Sequence, residues 1–481
     1  MKKYKLRVGY IGTSISSYFA GEYNQRPRAI AGLEKLAAEL DFELIAIPDE
    51  MMTEAGSVRA AETFQAQHID FLLLQTAACS MGEQLLPLVK AAPRIGLWGT
   101  PDPEQEGEIK IHSLVSMSHF AAILKRYLKH ENIPFKWFFG HVETDEFRDR
   151  FAVTIRALTA VKNIERSRIG WIGNLSPGFN DMIFDERLLR SRLGIAVLPH
   201  ELGDLVRRAQ GYDQEPVNAT IRDIKRAASD ITVSEEAAFD RVTRLYLALR
   251  DLAAEHDYAA LAVQCWPSIQ SYYRVAPCMA YSWLGSEDGM AVSCEGDVLG
   301  AASMYLLNLL TGRQGSSTLL DMTALDPQTQ AMLMWHCGVS PRHFANDDGI
   351  KWVDHVTLGR KADDGPYGVA GDQVFAAQET TVSYIGDDGS SLLVIRADII
   401  EHEKKGFDGT RGWFAQFELN KQPVSLMDLI NTLTVRGHEH HFAVGQGDVT
   451  DELMEFAAWK NLRLIEHVPL ANYLQVDDSA L

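Results

Sequence analysis

Between Ala291 and Gly338, three short apolar runs each stop on a residue that can bind a cation or carry a proton. Ala-Val-Ser-Cys ends on Glu295, Ser-Thr-Leu-Leu on Asp321, and Met-Leu-Met-Trp on His336. In open α/β sheets, ligands collect outside the carboxyl ends of the strands. Two carboxylates and an imidazole there form a mixed oxygen/nitrogen set, suited to Mn²⁺ or Mg²⁺ with positions left open for substrate oxygens. A cation chelated by a carbonyl and the neighbouring hydroxyl polarises the carbonyl and acidifies the adjacent C–H. Two carboxylates beside the same carbons can then move the proton. That is the chemistry of an aldose–ketose isomerase working through an enediol.

A second cluster is Gly437-His438-Glu439-His440-His441-Phe-Ala-Val. In an extended chain His438 and His440 face one way, Glu439 and His441 the other. The residues alone leave open which histidine joins the carboxylates. Read one at a time, the candidates are also ordinary. Asp297 is a helix cap beside a solvated Glu295, Asp321 a turn residue, and His336 a structural histidine. Competing motifs are missing. The chain has no GxGxxG after its first strand, no Walker sequence and no GxSxG. Cys337 follows His336, but the paired Cys/His spacings of zinc sites are absent.

The elements that must position these residues follow from periodicity. The first third alternates strand and helix: strands at 7–12, 43–47, 71–75 and 94–98, helices at 27–40, 57–67 and 81–92. This pattern predicts a parallel, doubly wound sheet. A helical connector spans 142–163, and a second unit of the same kind begins near Ser167. After about Pro341 the pattern becomes strand-rich. Two alternating runs flank Gly386-Asp-Asp-Gly389, a strong hairpin signal. The expected architecture is α/β: two doubly wound N-terminal domains (1–165 and 166–340), then a β-rich, barrel-like domain (341–481). The second domain would carry the carboxylate pair and the third the histidine cluster.

Bulk properties narrow the partners. The chain has 481 residues and a formal charge of −19. A strong negative balance argues against nucleic acid and against anionic membrane surfaces. The N-terminus lacks the apolar core of a signal peptide, and no run reaches bilayer-spanning length. Five cysteines without CxxC pairing fit a reducing cytoplasm.

Several segments together resemble the L-fucose isomerase-like proteins, which are related in fold to L-arabinose isomerases. They are Cys265-Trp-Pro, Pro277-Cys-Met-Ala, Cys294-Glu-Gly-Asp297, Leu310-Thr-Gly, His336-Cys-Gly and His440-His-Phe-Ala-Val. In the first 160 residues the likeness rests on the α/β pattern alone. The resemblance implies two α/β domains and a β-rich one, and Mn²⁺-dependent isomerisation of aldoses, with Mg²⁺ or Co²⁺ as alternatives. It implies homo-oligomers, trimers or hexamers, with sites near subunit interfaces. By motif, Glu295 and Asp321 are metal ligands and the acid/base pair, His441 completes the metal site, and His336 is a further ligand. The candidates for substrate contact are Trp98, Arg26, Arg28, Arg411 and His440. Those arginines bear on substrate choice. A neutral deoxy-sugar or pentose needs few cations, whereas a sulfonated sugar such as sulfoquinovose asks for an arginine fork. The contrasting reading is a non-catalytic cytoplasmic sugar-binding or sensor protein, which needs no metal.

Overall fold

A computed structural model describes residues 3–49, 51–359 and 365–471. The chain divides into two compact units, one from Lys3 to Lys162 and one from Asn163 onward.

In the first unit, five parallel strands lie in the order β2-β1-β3-β4-β5: β1 (Arg7–Thr13), β2 (Glu43–Ala46), β3 (Phe71–Thr76), β4 (Ile95–Gly99) and β5 (Phe135–Phe139). The central strand β3 reads Phe-Leu-Leu-Leu-Gln-Thr and is buried at every position. That is the signature of a strand covered by helices on both faces. Helices Gln25–Glu39 and Glu54–Ala66 supply two of the covers. Thr53 starts the second by accepting the Gly56 N–H at 3.2 Å. The helix expected at 81–92 is two short pieces, Gly82–Leu85 and a 3₁₀ turn at Leu88–Lys90. Pro87 between them has no N–H to continue the ladder.

The second unit contains two sheets. Its parallel sheet has the order β10-β9-β6-β7, from β6 (Arg168–Ile172), β7 (Ala196–His200), β9 (Ala260–Val263) and β10 (Ala291–Ser293). Helices Ala237–His256 and Cys278–Glu287 bury their apolar faces in the core beneath it. The helix Val298–Leu310 is buried nearly all round and packs against both sheets.

The second sheet is strand-rich and mostly antiparallel. Six of its strands form a closed ring: β11 (Ser317–Asp326), β12 (Ala331–His336), β17 (Thr410–Leu419), β16 (Ser391–Ile400), β15 (Gln378–Gly386) and β19 (His441–Gln446), which pairs back to β11. Closure comes from the β16–β17 pairing, and it removes the exposed edges of those six strands. Shorter strands extend the ring: β14 (Gly368–Val374), β13 (Lys351–Asp354) and β8 (Asp230–Thr232) beyond β17, β18 (Gln422–Pro423) on β17, and β20 (Arg463–Leu464) on β16. The layout is thus two parallel α/β sheets followed by a β-rich barrel. Among the described residues, no helix is long and apolar enough to cross a membrane.

One placement differs from the expectation. Asp321 does not end a strand of the parallel sheet. It lies inside β11, on the barrel, opposite His441 on one side and Trp335 on the other. The short link from the Val298–Leu310 helix reads in sequence as a βαβ return, yet the strand it delivers pairs antiparallel. Strand partners are set by long-range contacts that a local run of apolar residues does not encode.

Candidate active site

The chain turns sharply as it leaves β10. Cys294 ends the strand, and Glu295 has φ 62° and Gly296 φ 80°. A left-handed glutamate is uncommon and stores strain, a feature that clusters at functional sites. Gly296 is required by space as well: a Cβ there would lie 2.2 Å from Asn174 O. Asp297 then starts the next helix, its Oδ1 accepting the Gly300 N–H at 2.8 Å.

Asp297 does more than cap. It is fully buried. Its Oδ1 also accepts the Tyr384 hydroxyl at 2.9 Å, and its Oδ2 lies 2.9 Å from His441 Nδ1. A carboxylate on Nδ1 fixes the proton there and leaves the Nε2 lone pair free. This is the usual arrangement behind a metal-binding histidine.

His441 Nε2 faces both carboxylates, 3.4 Å from Glu295 Oε2 and 3.6 Å from Asp321 Oδ1. His336 stands beside it, with ring centroids 5.7 Å apart. Ligand atoms of Glu295, His336 and His441 all lie within 4.8 Å of one another, as do those of Asp321, His440 and His441. Glu295 Oε2, Asp321 Oδ1, His336 Nε2 and His441 Nε2 are buried without a hydrogen-bond partner among the described residues. Leaving a buried polar atom unsatisfied costs about 1–3 kcal/mol, more for charged groups. Such atoms gathered around His441 Nε2 form a set that a divalent cation satisfies, and carboxylate oxygens with imidazole nitrogens suit Mn²⁺.

The two histidines are not equally prepared. The Cys337 N–H points at His336 Nδ1 from 3.0 Å, which places the proton of a neutral ring on Nε2. Binding a cation through Nε2 needs the other tautomer, with Nδ1–H turned to Cys337 Sγ at 3.3 Å. His441 is preset for the task, whereas His336 must change tautomer.

Electrostatics separate the carboxylates. Burial pushes Glu295 up, but the imidazoles of His440 and His441 beside it outweigh that and hold the acid at about 2. Burial dominates at Asp321 and raises it above the ordinary carboxylate value, despite the nearby imidazoles. Burial pulls His336 down, but Cys337 and Asp321 draw it up to about 9. His441 likewise ends well above its ordinary value, because Asp297 and Glu295 overcome the cost of burial.

His440 forms the rim. Its Nε2 is 3.5 Å from Glu295 Oε2, while its Nδ1 lies 2.7 Å from Asp181 Oδ2. Phe179 stacks on the ring at 5.0 Å, and Trp266 meets Phe179 edge-on at 5.9 Å. The loop carrying Phe179 and Asp181 is tied to the site by the Ser176 N–H donating to Glu295 O at 2.9 Å. The aromatic pair and the half-exposed His440 make an amphipathic wall of the kind that lies against a sugar face.

The structure therefore brings together Glu295, Asp321, His336, His440 and His441. His438 is turned elsewhere, packed edge-on against Tyr384 and pushed down to about 4 by burial. Arg411 is committed to structure. It pairs with Asp372, donates to Lys405 O at 3.0 Å and to Gly409 O, and lies opposite Trp335 in the barrel. In the first unit, Trp98 is buried and donates to Gly140 O at 2.9 Å, Arg26 donates to Pro48 O, and Arg28 pairs with Glu143 at 2.9 Å. Sequence reasoning missed Asp181, Phe179 and Tyr384, and took Asp297 for a cap alone. Asp297 did carry a signal, since it sits two residues after Glu295. Asp181 carried none, being 259 residues from its partner.

Comparison with known proteins bears on this geometry. No family model matches the chain. Sulfoquinovose isomerases of Priestia aryabhattai and Priestia megaterium are each 27% identical to it over 428 residues, spanning 86% of this chain and 90% of theirs. That of Alkalicoccus urumqiensis is 26% identical over 425 residues, spanning 87% and 91%. The chain is a homologue of these isomerases. The fucose isomerase-like resemblance read from its motifs is thereby borne out, and it extends over most of the length. Among solved structures, a solute-binding protein of an ABC transporter from Burkholderia multivorans overlaps 65% of the chain at 14% identity with a TM-score of 0.17, a likeness that carries no argument.

Proposed function

We propose that this chain is an aldose–ketose isomerase that holds a divalent cation, Mn²⁺ in the first place, and converts a sulfonated aldohexose of the sulfoquinovose type to its ketose. One observation carries the metal-site reading: buried, unpartnered ligand atoms of Glu295, Asp321, His336 and His441 gather in two overlapping clusters that share His441. The substrate class rests on the relatives, whose similarity spans nearly their whole length.

Glu295, Asp321 and His441 would hold the cation, with His336 as a fourth ligand. When bound, such an ion polarises the sugar carbonyl and acidifies the neighbouring C–H. The residues divide the remaining work. Glu295 stays ionised and serves as a ligand, because its acid form is held at about 2. Asp321, raised by burial, is the better base. Two carboxylates whose environments push them apart are the pattern of an assigned acid/base pair. Asp321 takes the C2 proton of the open-chain aldose and returns it to C1, while the O2 proton passes to O1. Asp297 keeps the His441 ring aligned, and Asp181 does the same for His440. Phe179 and Trp266 exclude water from one side of the sugar.

A homo-oligomer and a cytoplasmic setting complete the proposal. The five free cysteines support the reducing compartment, and light scattering of purified protein reads the subunit number. The central test replaces Glu295 by Gln and Asp321 by Asn and assays conversion of sulfoquinovose with Mn²⁺ present. Each change should lower turnover by about 10²–10⁴-fold, the range for a positioned acid or base. Undiminished turnover in both variants sinks the mechanism. Turnover of fucose or arabinose but not sulfoquinovose reassigns the substrate.

A further inference from the structure

Two histidine–aspartate pairs stand side by side at the site, with imidazole centroids 4.2 Å apart. They differ in access. The side chains of His441 and Asp297 are fully buried, whereas those of His440 and Asp181 are 34% and 43% exposed. The buried pair presents a ligand atom. The open pair is equally well held. Asp181 Oδ2 accepts the His440 backbone N–H at 3.2 Å and lies 2.7 Å from His440 Nδ1. Asp181 sits in a 3₁₀ turn, Asn180–Met182, anchored by the fully buried Met182. Phe179, just before that turn, stacks on the His440 ring at 5.0 Å. The carboxylate keeps the proton of the neutral ring on Nδ1 and leaves a lone pair on Nε2. That nitrogen stands at the edge of the carboxylate set, 3.5 Å from Glu295 Oε2.

The reaction includes a step that Glu295, Asp321 and His441 do not cover. An aldohexose in water is almost entirely a cyclic hemiacetal, and proton abstraction at C2 needs the free C1 carbonyl. Opening the ring takes a proton from the anomeric hydroxyl and gives one to the ring oxygen. The group that does this must be reachable by a sugar that is still closed. His336 is 2% exposed and His441 fully buried, so His440 is the imidazole of this site that such a sugar can touch. We infer that His440, oriented by Asp181, opens the pyranose ring, and that the protein therefore also exchanges the α and β anomers of its substrate.

The step balances without a co-reactant. His440 Nε2 takes the O1 proton, the O–H pair becomes the second bond of C1=O1, and the C1–O5 bond breaks with its pair on O5. O5 then takes the proton back from the same nitrogen. Both oxygens are attached to C1, so one nitrogen serves both. The Asp181 carboxylate stabilises the imidazolium between the two transfers, as a buried aspartate does for a catalytic histidine. Reclosure on either face of C1 gives either anomer.

The inference rests on the isomerase reading, but the two fail separately. Asp321→Asn removes the C2 base and leaves His440 in place. Loaded with Mn²⁺ and given freshly dissolved α-sulfoquinovose, this variant should make no ketose yet speed the appearance of the β anomer, read by ¹H NMR, in proportion to protein concentration. Adding His440→Gln should cut that rate by about 10²–10⁴-fold and leave Mn²⁺ affinity, read by calorimetry, at the parent value. Asp181→Asn should cut the same rate, again with the metal retained. Should Asp321→Asn not fold, the wild type with the 2-deoxy analogue of sulfoquinovose, which has no C2 hydroxyl and forms no ketose, gives the same readout. Anomer exchange no faster than in buffer overturns the proposal. So does exchange that survives His440→Gln, which leaves His440 a wall residue, and so does loss of Mn²⁺ affinity in that variant, which makes it a ligand. Anomer exchange by a wild type that forms no ketose supports the inference and sinks the isomerase reading alone.

Discussion

Asp297 gives the sharpest test of the metal-site reading, because it touches the proposed ion only through His441. Replacing it by Asn keeps the volume. The amide oxygen can still accept the Gly300 N–H and the Tyr384 hydroxyl, now at 2.8 and 2.9 Å. The amide NH₂ then faces His441 Nδ1, where the carboxylate stood at 2.9 Å. A donor opposite Nδ1 stabilises the tautomer with its proton on Nε2, which cannot bind a cation. Losing the partner that orients a ligating histidine costs about 10–100-fold in metal affinity, or about 1.4–2.7 kcal/mol. The lost hydrogen bond to a charged group is worth about 1.5–3 kcal/mol by an independent route, so the two figures agree. The assay is calorimetric titration of metal-stripped protein with Mn²⁺, alongside thermal unfolding. Asp297→Asn should weaken Mn²⁺ by that factor and shift unfolding little, since the cap survives. Tyr384→Phe removes one donor but keeps the charge, and should show a smaller loss. Unchanged Mn²⁺ affinity in Asp297→Asn refutes the assignment of His441 as a ligand oriented by Asp297.

Other outcomes follow from the same geometry. Asp181→Asn frees the His440 ring, and should reduce kcat/KM for the sugar while leaving Mn²⁺ affinity near the wild-type value; equal loss of both would place His440 among the ligands. Gly296→Ala forces a Cβ to within 2.2 Å of Asn174 O at a φ of 80°, so strain of about 1–3 kcal/mol should lower the melting temperature together with activity, and an unchanged melting curve would contradict the packing. Asp185, held at about 2 chiefly by its Arg187 partner, has a folded value below its unfolded one of 3.8. Its contribution is therefore present above the unfolded value and lost as pH falls toward about 2. Asp185→Asn should be less stable at neutral pH, with the difference closing in acid; a gap that persists in acid rules this out. Chelation should abolish isomerisation, and added Mn²⁺ should restore it, as read by ketose formation.

The sequence made local features legible and long-range ones opaque. The hairpin around Gly386-Asp-Asp-Gly389 was readable from its Gly/Asp composition: Gly386 pairs with Ser391, and the four-residue loop between them takes positive φ at Asp387 (48°), Asp388 (54°) and Gly389 (82°). The helix after Asp297 was readable from its cap and apolar run. Strand β17 was not marked in the sequence, and its pairing with both β12 and β16 makes it a barrel strand. Glu295, Asp321 and the histidine cluster were visible as residue types. The residues alone did not separate His441 from His438; the resemblance pointed to His441, and the register agrees, because His441 lies opposite Asp321 while His438 precedes the strand and packs on Tyr384. Arg411 looked free in sequence and proved buried against Asp372.

The site is assembled across a seam between two sheets, and Asp297 bridges that seam. Glu295 comes from the turn after the parallel sheet, while Asp321 and His441 come from neighbouring barrel strands. Nothing in either sheet alone sets the distance between the carboxylates. Asp297 does so, since it begins the helix following Glu295 and binds Tyr384 and His441 of the barrel at the same time. A fully buried carboxylate is costly unless it is paired and hydrogen-bonded, and every partner of Asp297 named here either caps the helix or belongs to the barrel. Docking of the sheets and alignment of the ligand therefore draw on the same three contacts. A change that loosens the seam must also disturb the His441 ring, whereas a change at Asp181 disturbs the rim alone. Activity should accordingly track the melting temperature in variants at Tyr384 but not in variants at Asp181, and a Tyr384 variant with lowered stability and undiminished Mn²⁺ affinity would show that the two functions of Asp297 are separable.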